Sequence, residues 1–194
     1  MASVLQVEEL RGPTAGANAN KVIIPAGQTL DARNGFVPPA GSVIQVVQGV
    51  RTTTLVIDSA SYVEFLSATI TPLSASSKIL ISATVNGSMS ANGSAFLSLF
   101  RGSSQIAIGT DANGNPKVSF ALDNGGVVGD AEVSGGLTWL DSPNTTSSIS
   151  YSVRGNRGPD SAGRLNINRS NNYPSSTTWD KNSVSSITLM EISG

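Results

Sequence analysis

The 194-residue sequence contains no histidine and no cysteine, and only 13% of its residues are charged. The absence of histidine removes the commonest general base and the commonest metal ligand. The absence of cysteine removes the thiol nucleophile and every disulfide. Any catalytic site would have to be built from carboxylates, tyrosine or a Ser–Lys pair. These absences favour a structural or binding protein over an enzyme.

The charges that are present nearly cancel, because 12 basic residues accompany 13 acidic ones and give a net charge of −1 at pH 7. Such a chain has no long-range attraction for phosphate backbones, so we expect no nucleic-acid partner. No apolar run approaches the roughly 20 residues that a membrane helix needs. The N-terminus also lacks the basic start and apolar stretch of a signal peptide. We therefore expect a soluble protein that folds in the cytoplasm and does not insert into a membrane.

The first 41 residues differ from the rest of the chain. They contain two short apolar runs, at residues 4–7 and 21–25, separated by small and polar residues. They end in the stiff, proline-rich sequence of residues 37–41. Because so few apolar residues cannot form a core, we expect residues 1–41 to be an extended arm. Such an arm would pack on the main domain, on a neighbouring subunit or on a larger assembly.

From residue 42 onwards, short runs of alternating apolar and polar residues predict half-buried β-strands. The strongest run, at residues 78–85, places Ile79, Ile81, Ala83 and Val85 on one face. Asn-Gly pairs, which favour tight turns, occur at residues 34–35, 86–87, 92–93, 113–114 and 124–125. We predict that residues 42–194 form an all-β, jelly-roll-like antiparallel β-sandwich of about eight to ten strands. The strand spacing is too uneven for a β-helix, the other fold that this alternation fits.

The best candidate for a binding site is the polar segment of residues 169–181. It carries Tyr173 and Trp179, although only 5% of the chain is aromatic. An aromatic ring flanked by amide and charged side chains can stack on a sugar and bind its hydroxyls. With a companion loop at residues 154–160, the predicted ligand-binding residues are Asn171, Asn172, Tyr173, Trp179, Asp180 and Arg157. The alternative is that Trp179 packs into the edge of the sandwich and holds the segment in place.

The acidic residues form no convincing functional motif. Residues 111–115 begin like a calcium-binding loop, but Pro116 and Leu122 stand where that loop needs a glycine and a bidentate glutamate. Asp123 and Asp130 flank a glycine-rich loop, where turn formation explains them better than the paired carboxylates of a glycosidase. Three glutamates within or beside strands are expected to face solvent or an interface: Glu64, Glu132 and Glu191. The sequence therefore predicts no catalytic residue, no metal and no cofactor.

Four segments, at both ends and in the middle of the chain, are distinctive as a set. They are IIPAGQTLD at residues 23–31, PAGSVIQVV at 39–47, TITPLSASSKILI at 69–81 and SITLMEI at 186–192. Together they resemble small fibre-like virion proteins of tailed bacteriophages, especially marine ones. The resemblance implies a compact β-sandwich head behind a short anchoring arm, commonly as a homotrimer. It carries over no catalytic motif and no binding residue.

The resemblance and the residue patterns together lead to a functional expectation. We expect a non-enzymatic virion structural protein, a short trimeric tail fibre, assembled in the host cytoplasm. Residues 1–41 would attach it to tail or capsid proteins, and loops of the head would contact the host surface, such as its polysaccharide. A capsid decoration protein (a cement or head-fibre protein) of the same fold is the alternative. A lyase or depolymerase using carboxylates or tyrosine is a third possibility.

Overall fold

The computed structural model divides the chain into two units, Met1–Val37 and Pro38–Gly194. It describes residues 14–16, 22–23, 26–27, 38–90, 94–110, 114, 117–123, 132–158, 163–171 and 181–194. Most of the predicted arm lies outside these ranges, so the anchoring role of residues 1–41 stays a prediction. In the second unit, the Gly41 N–H donates to the Ser193 carbonyl at 2.7 Å. The residues just before the first strand are thus hydrogen-bonded to the end of the last one.

The described residues form eleven β-strands and no helix, which confirms the predicted all-β class. The strands are β1 Val43–Arg51, β2 Leu55–Ile57, β3 Val63–Ile70, β4 Lys78–Met89, β5 Ser94–Arg101, β6 Ser104–Ile106, β7 Phe120–Asp123, β8 Val133–Asp141, β9 Ile149–Asn156, β10 Leu165–Ile167 and β11 Ser185–Ile192. Within these ranges, accordingly, no helix is long and apolar enough to cross a membrane.

The strands pair in two antiparallel sheets. Eight principal strands give the orders β1-β11-β4-β8 and β3-β9-β5-β7. The first of these eight pairs with the last, the second with the seventh, the third with the sixth and the fourth with the fifth. This is a long hairpin folded over into two layers, the double Greek-key topology of a jelly roll. The short strands β2, β6 and β10 extend the sheets at their margins.

The hydrophobic core lies between the two sheets and is built from alternate residues of each strand. On β4, the predicted inward residues Ile79, Ile81, Ala83 and Val85 are all buried. On β11, Ile187 and Leu189 are buried while the residues between them are partly exposed. The residues that the strongest run predicts to share one face are therefore the residues of β4 that form the core.

Two local expectations were wrong. The Asn86-Gly87 pair lies inside β4 instead of forming a turn. Glycine is needed there because a Cβ atom on Gly87 would lie 2.4 Å from the carbonyl oxygen of Asn166 on β10. The sequence also predicts separate short strands at residues 132–133 and 137–140, but Val133 and residues 137–140 belong to one strand, β8, which continues through two glycines. In the first place the pairing of β10 with β4 decides the structure, and in the second the pairing of β8 with β4 does so.

Candidate functional site

The strand connections bring four segments together at one end of the sandwich, which we call the loop end. Their described residues are 52–62, 90, 132, 157–158, 163–171 and 181–184, which include the short strands β2 and β10. The strand register shows that they share this end, since Arg51 pairs with Ser185 where β1 finishes and β11 begins. The predicted loop at residues 154–160 was wrong at its start, because residues 154–156 belong to β9; the described residues 157–158, 169–171 and 181 of the two predicted segments lie at the loop end. The jelly-roll topology thus groups two regions that the sequence proposed separately.

The structure describes two of the six predicted ligand-binding residues. Arg157 directly follows β9, and Asn171 lies four residues after the end of β10. The others lie outside the described residues: Asn172, Tyr173, Trp179 and Asp180. The calcium-like residues 111–113 and the loop carboxylate Asp130 also lie outside them. The binding role of these residues stays a prediction.

The base of the predicted binding segment is closed. Arg169 and Asn182 form an isolated antiparallel β-bridge, so the chain leaves and returns at neighbouring points. The Ser183 N–H also donates to the carbonyl of Asn168 at 3.4 Å. Arg169 and Asn182, which flank the predicted binding segment, are therefore held next to each other.

Buried polar side chains hold this base in place. Asn168 is fully buried and has a φ of 56°, a left-handed conformation that asparagine tolerates better than most residues. Its Nδ2 donates to the Arg51 carbonyl at 2.7 Å, and its Oδ1 accepts a bond from the Ser185 hydroxyl at 2.6 Å. The Ser88 hydroxyl donates to the Arg169 carbonyl at 3.0 Å. A satisfied buried network of this kind rigidifies the backbone that it joins.

Two arginines of the loop end converge on one carboxylate. The Nε atom of Arg164 lies 3.1 Å from Asp58 Oδ2, and that of Arg157 lies 3.9 Å from Oδ1. The Arg157 N–H also donates to the Ser59 carbonyl at 3.0 Å. These contacts connect Asp58 and Ser59, which follow β2, with Arg157 and Arg164, which lie between β9 and β10. Because the Asp58 side chain is 53% exposed, each ion pair adds at most about 1 kcal/mol, and the surface stays polar and accessible.

The opposite end of the sandwich holds a buried polar cluster that the sequence did not single out. Asp141 of β8 accepts a 2.6 Å hydrogen bond from the Tyr151 hydroxyl and bonds of 3.0 and 3.2 Å from Arg101 Nη1. Asp141 belongs to one sheet, whereas Arg101 and Tyr151 belong to the other. We call these three residues the clasp. Burial, the hydrogen bond to Asp141 and its negative charge raise the pKa of Tyr151 far above its usual value, so the phenol remains a neutral donor.

Glu191 is a second buried carboxylate, and the expectation that it faces solvent or an interface was wrong. It is fully buried and points into the core side of β11. Gln45 Nε2 donates to its Oε2, and the Leu73 N–H donates to its Oε1 at 2.8 Å. Burial raises its pKa, but Gln45, the nearby Ser77 hydroxyl and the backbone of Leu73 and Ser74 lower it, and the net effect is a lowered pKa.

The lowered pKa predicts how stability depends on pH. Because the folded-state pKa lies below the ordinary value of 4.5, ionised Glu191 stabilises the fold above that pH. The stabilisation is lost as the pH falls through the folded-state value. We expect E191Q to lower the Tm at neutral pH and to flatten the fall in Tm below about pH 5.

Thermal unfolding followed by circular dichroism over a pH series measures this effect. The matched control is E64Q, because the Glu64 side chain is 46% exposed and pairs with Arg154 on the surface. E64Q should lower the Tm at neutral pH less than E191Q does, because an exposed ion pair contributes little to stability. A wild-type slope in E191Q would contradict the prediction.

The two buried carboxylates serve the fold rather than an open reaction site. Both oxygens of Asp141 and both oxygens of Glu191 accept hydrogen bonds from neighbouring groups. Among the described residues, no three acidic side chains come close enough together to hold a metal ion. The fold places the chain in the class of all-β, two-sheet jelly-roll proteins. No protein-family model matches the chain, and no curated protein sequence matches it.

Proposed function

We propose that this chain is a non-enzymatic structural protein of a tailed-bacteriophage particle. In this proposal it is a short fibre whose jelly-roll head contacts the host surface. The observation that carries the proposal is the loop end, where the buried hydrogen bonds of Asn168 and the arginines around Asp58 hold the described connecting residues on a rigid sandwich. Loops held on a rigid scaffold are the usual carriers of recognition.

Two further observations support the proposal. The resemblance of residues 23–31, 39–47, 69–81 and 186–192 to phage fibre-like proteins supplies the viral context. The occupied oxygens of Asp141 and Glu191 favour contact over catalysis, since a general base needs a free lone pair facing its substrate. Residues 1–41 would attach the head to tail or capsid proteins.

The two tryptophans of the chain provide a matched test of host contact. Trp179 lies in the predicted binding loop, whereas Trp139 is partly exposed on β8, two residues from the clasp. We expect W179A to weaken binding to host surface polysaccharide by up to about tenfold, the loss expected for one aromatic stacking contact. W139A should bind like the wild type.

Binding is measured by calorimetry on isolated polysaccharide and by adsorption to host cells, with circular dichroism as a check on folding. Unchanged binding by W179A, or an equal loss in both variants, would contradict a binding role for this loop. Quantitative mass spectrometry of purified particles then tests the virion role. On the order of tens of copies per particle indicates a fibre, on the order of hundreds indicates a decoration protein, and absence from the particle overturns the proposal.

A further inference from the structure

The first sheet turns one face towards the core and the other face outward. On the outward face, residues in register form rows that run across β1, β11, β4 and β8. One row is apolar along its whole length: Val46, Met190, Leu80 and Leu140. Its two ends are open to solvent, since Val46 is 57% exposed and Leu140 is 48% exposed. A continuous apolar row on an exposed sheet face marks an interaction surface.

The neighbouring rows are polar but almost uncharged. They consist of Gln48, Thr188, Ser82 and Thr138, followed by Val50, Ser186, Thr84 and Gly136. Lys78, at the clasp end, is the one charged residue at the outward positions of these four strands. A sheet face that serves only to meet water normally carries charged side chains. The partner that suits this face is one that also brings almost no charge, and the same face of a second copy meets that requirement.

The shape of the face is also self-complementary. A shallow depression of about 290 Å³ is lined by Ser82, Ala83, Thr84, Gly136, Leu137 and Thr138. Gly136 in its lining cannot be replaced by a larger residue without a backbone shift, because a Cβ atom there would lie 2.5 Å from the Ala83 carbonyl oxygen. Val50 lies in the same row at the opposite margin of the sheet and projects outward, 52% exposed. One row thus carries a projection at one end and a depression at the other.

We propose that two copies of this chain associate by stacking these outward faces on each other. The two-fold axis runs parallel to the strands, midway between β11 and β4. It places β1 over the partner's β8 and keeps each row over the same row of the partner. Val50 then enters the depression at the partner's Gly136, and Val46 contacts the partner's Leu140. Apolar residues meet apolar residues, and hydroxyl-bearing rows meet hydroxyl-bearing rows.

The area available agrees with a stable contact. Four strands spaced about 4.8 Å apart and about nine residues long present a face of roughly 19 by 30 Å. A pleated face of that size approaches the roughly 800 Å² per partner of a standard interface. Stacked sheets also pack with their strands nearly aligned, within about 30°. The inference concerns self-association; it proposes a dimer in place of the homotrimer expected from the resemblance, and it does not depend on the proposed virion role.

Introduced charges test the stacking and its symmetry. V46K alone and L140E alone each bury an unpaired charge, so each should weaken the dimer by at least about tenfold. In the combined V46K/L140E chain, each new ammonium group lies opposite a new carboxylate across the two-fold axis, so we expect most of the affinity to return. Both positions are exposed in the single chain, so folding should be preserved. The control is L73K, which makes the same kind of change at a residue that is 72% exposed in the β3–β4 connection.

Sedimentation equilibrium of the full chain gives the readout. A dimer has twice the 19.9 kDa of one chain, about 40 kDa. A dimer that dissociates in both single variants, returns in the combined variant and persists in L73K supports the proposal. A monomer at up to about 100 μM, a trimer, a dimer that survives V46K, or a combined variant that stays dissociated would overturn it. Particle content and polysaccharide binding are measured separately, so either proposal can fail alone.

Discussion

Gly49→Ala is expected to destabilise the head by about 3 kcal/mol, because two sheets meet at this glycine with no room for a methyl group. A Cβ atom on Gly49 would lie 2.0 Å from the carbonyl oxygen of Ser67 and 2.8 Å from its carbonyl carbon. Both of these atoms belong to the backbone of β3, which is itself paired with β9. The clash can be relieved only by moving one sheet away from the other, which opens gaps in the core between them.

Thermal unfolding measures this loss, and a second glycine provides the control. In a domain of this size, 3 kcal/mol corresponds to a fall in Tm of about 10 °C. At Gly109, a Cβ atom would have no neighbour within 4 Å, and the backbone conformation is an ordinary one. Gly109→Ala should therefore leave the Tm unchanged or raise it slightly, since such a substitution stabilises a fold by up to about 1 kcal/mol. Equal Tm values for the two variants would contradict the close approach of β1 to β3.

Asp141→Ala should lower the free energy of unfolding by about 2–4 kcal/mol, the second large effect. The substitution leaves the fully buried hydroxyl of Tyr151 without its acceptor, and removes the carboxylate that Arg101 contacts. The destabilisation should be smaller than the largest values seen when one partner of a buried ion pair is removed. The reason is that the Arg101 side chain is 37% exposed, so water can hydrate it after Asp141 is lost. The Tyr151 hydroxyl therefore carries much of the effect.

A double-mutant cycle isolates the hydroxyl contribution. Tyr151→Phe alone should destabilise the head, but in the Asp141→Ala background it should cost little or even stabilise, because it removes an unpaired buried donor. Urea denaturation of the four proteins gives a coupling energy of about 1–3 kcal/mol. Asp58→Ala is the control, since this exposed carboxylate should contribute no more than about 1 kcal/mol. Strict additivity of the two clasp substitutions would contradict the clasp.

The alternation of apolar residues was enough to predict the all-β sandwich. Each of Ile79, Ile81, Ala83 and Val85 lies on the core face that the local pattern predicts, because a strand has a period of two residues. The same local reasoning failed where long-range pairing decides. Gly87 is a strand residue because β10 approaches it, and β8 is continuous because it pairs along nine residues of β4.

The polar parts of the site were harder to predict. The predicted loop at residues 154–160 was wrong for residues 154–156, which belong to β9, and the predicted loop at residues 169–181 lies mostly outside the described residues. Glu191 was placed wrongly because its main side-chain partner, Gln45, is 146 residues away in the sequence. A signal was available, since Glu191 and Asp141 both fall on the inward parity of an alternating run, after Leu189 and Leu137 respectively. An acidic residue at such a position predicts a buried partner.

The pairing of the first strand with the last determines where the head can be joined to anything else. Val43 pairs with Ile192, so the polypeptide enters and leaves the sandwich side by side, at the clasp end and about one strand length from the loop end. A tether or an affinity tag fused at either strand terminus would therefore hold the head with the loop end away from the support. Because the strand termini and the loop end lie at opposite ends, this sandwich can be immobilised through one end while the other end stays accessible.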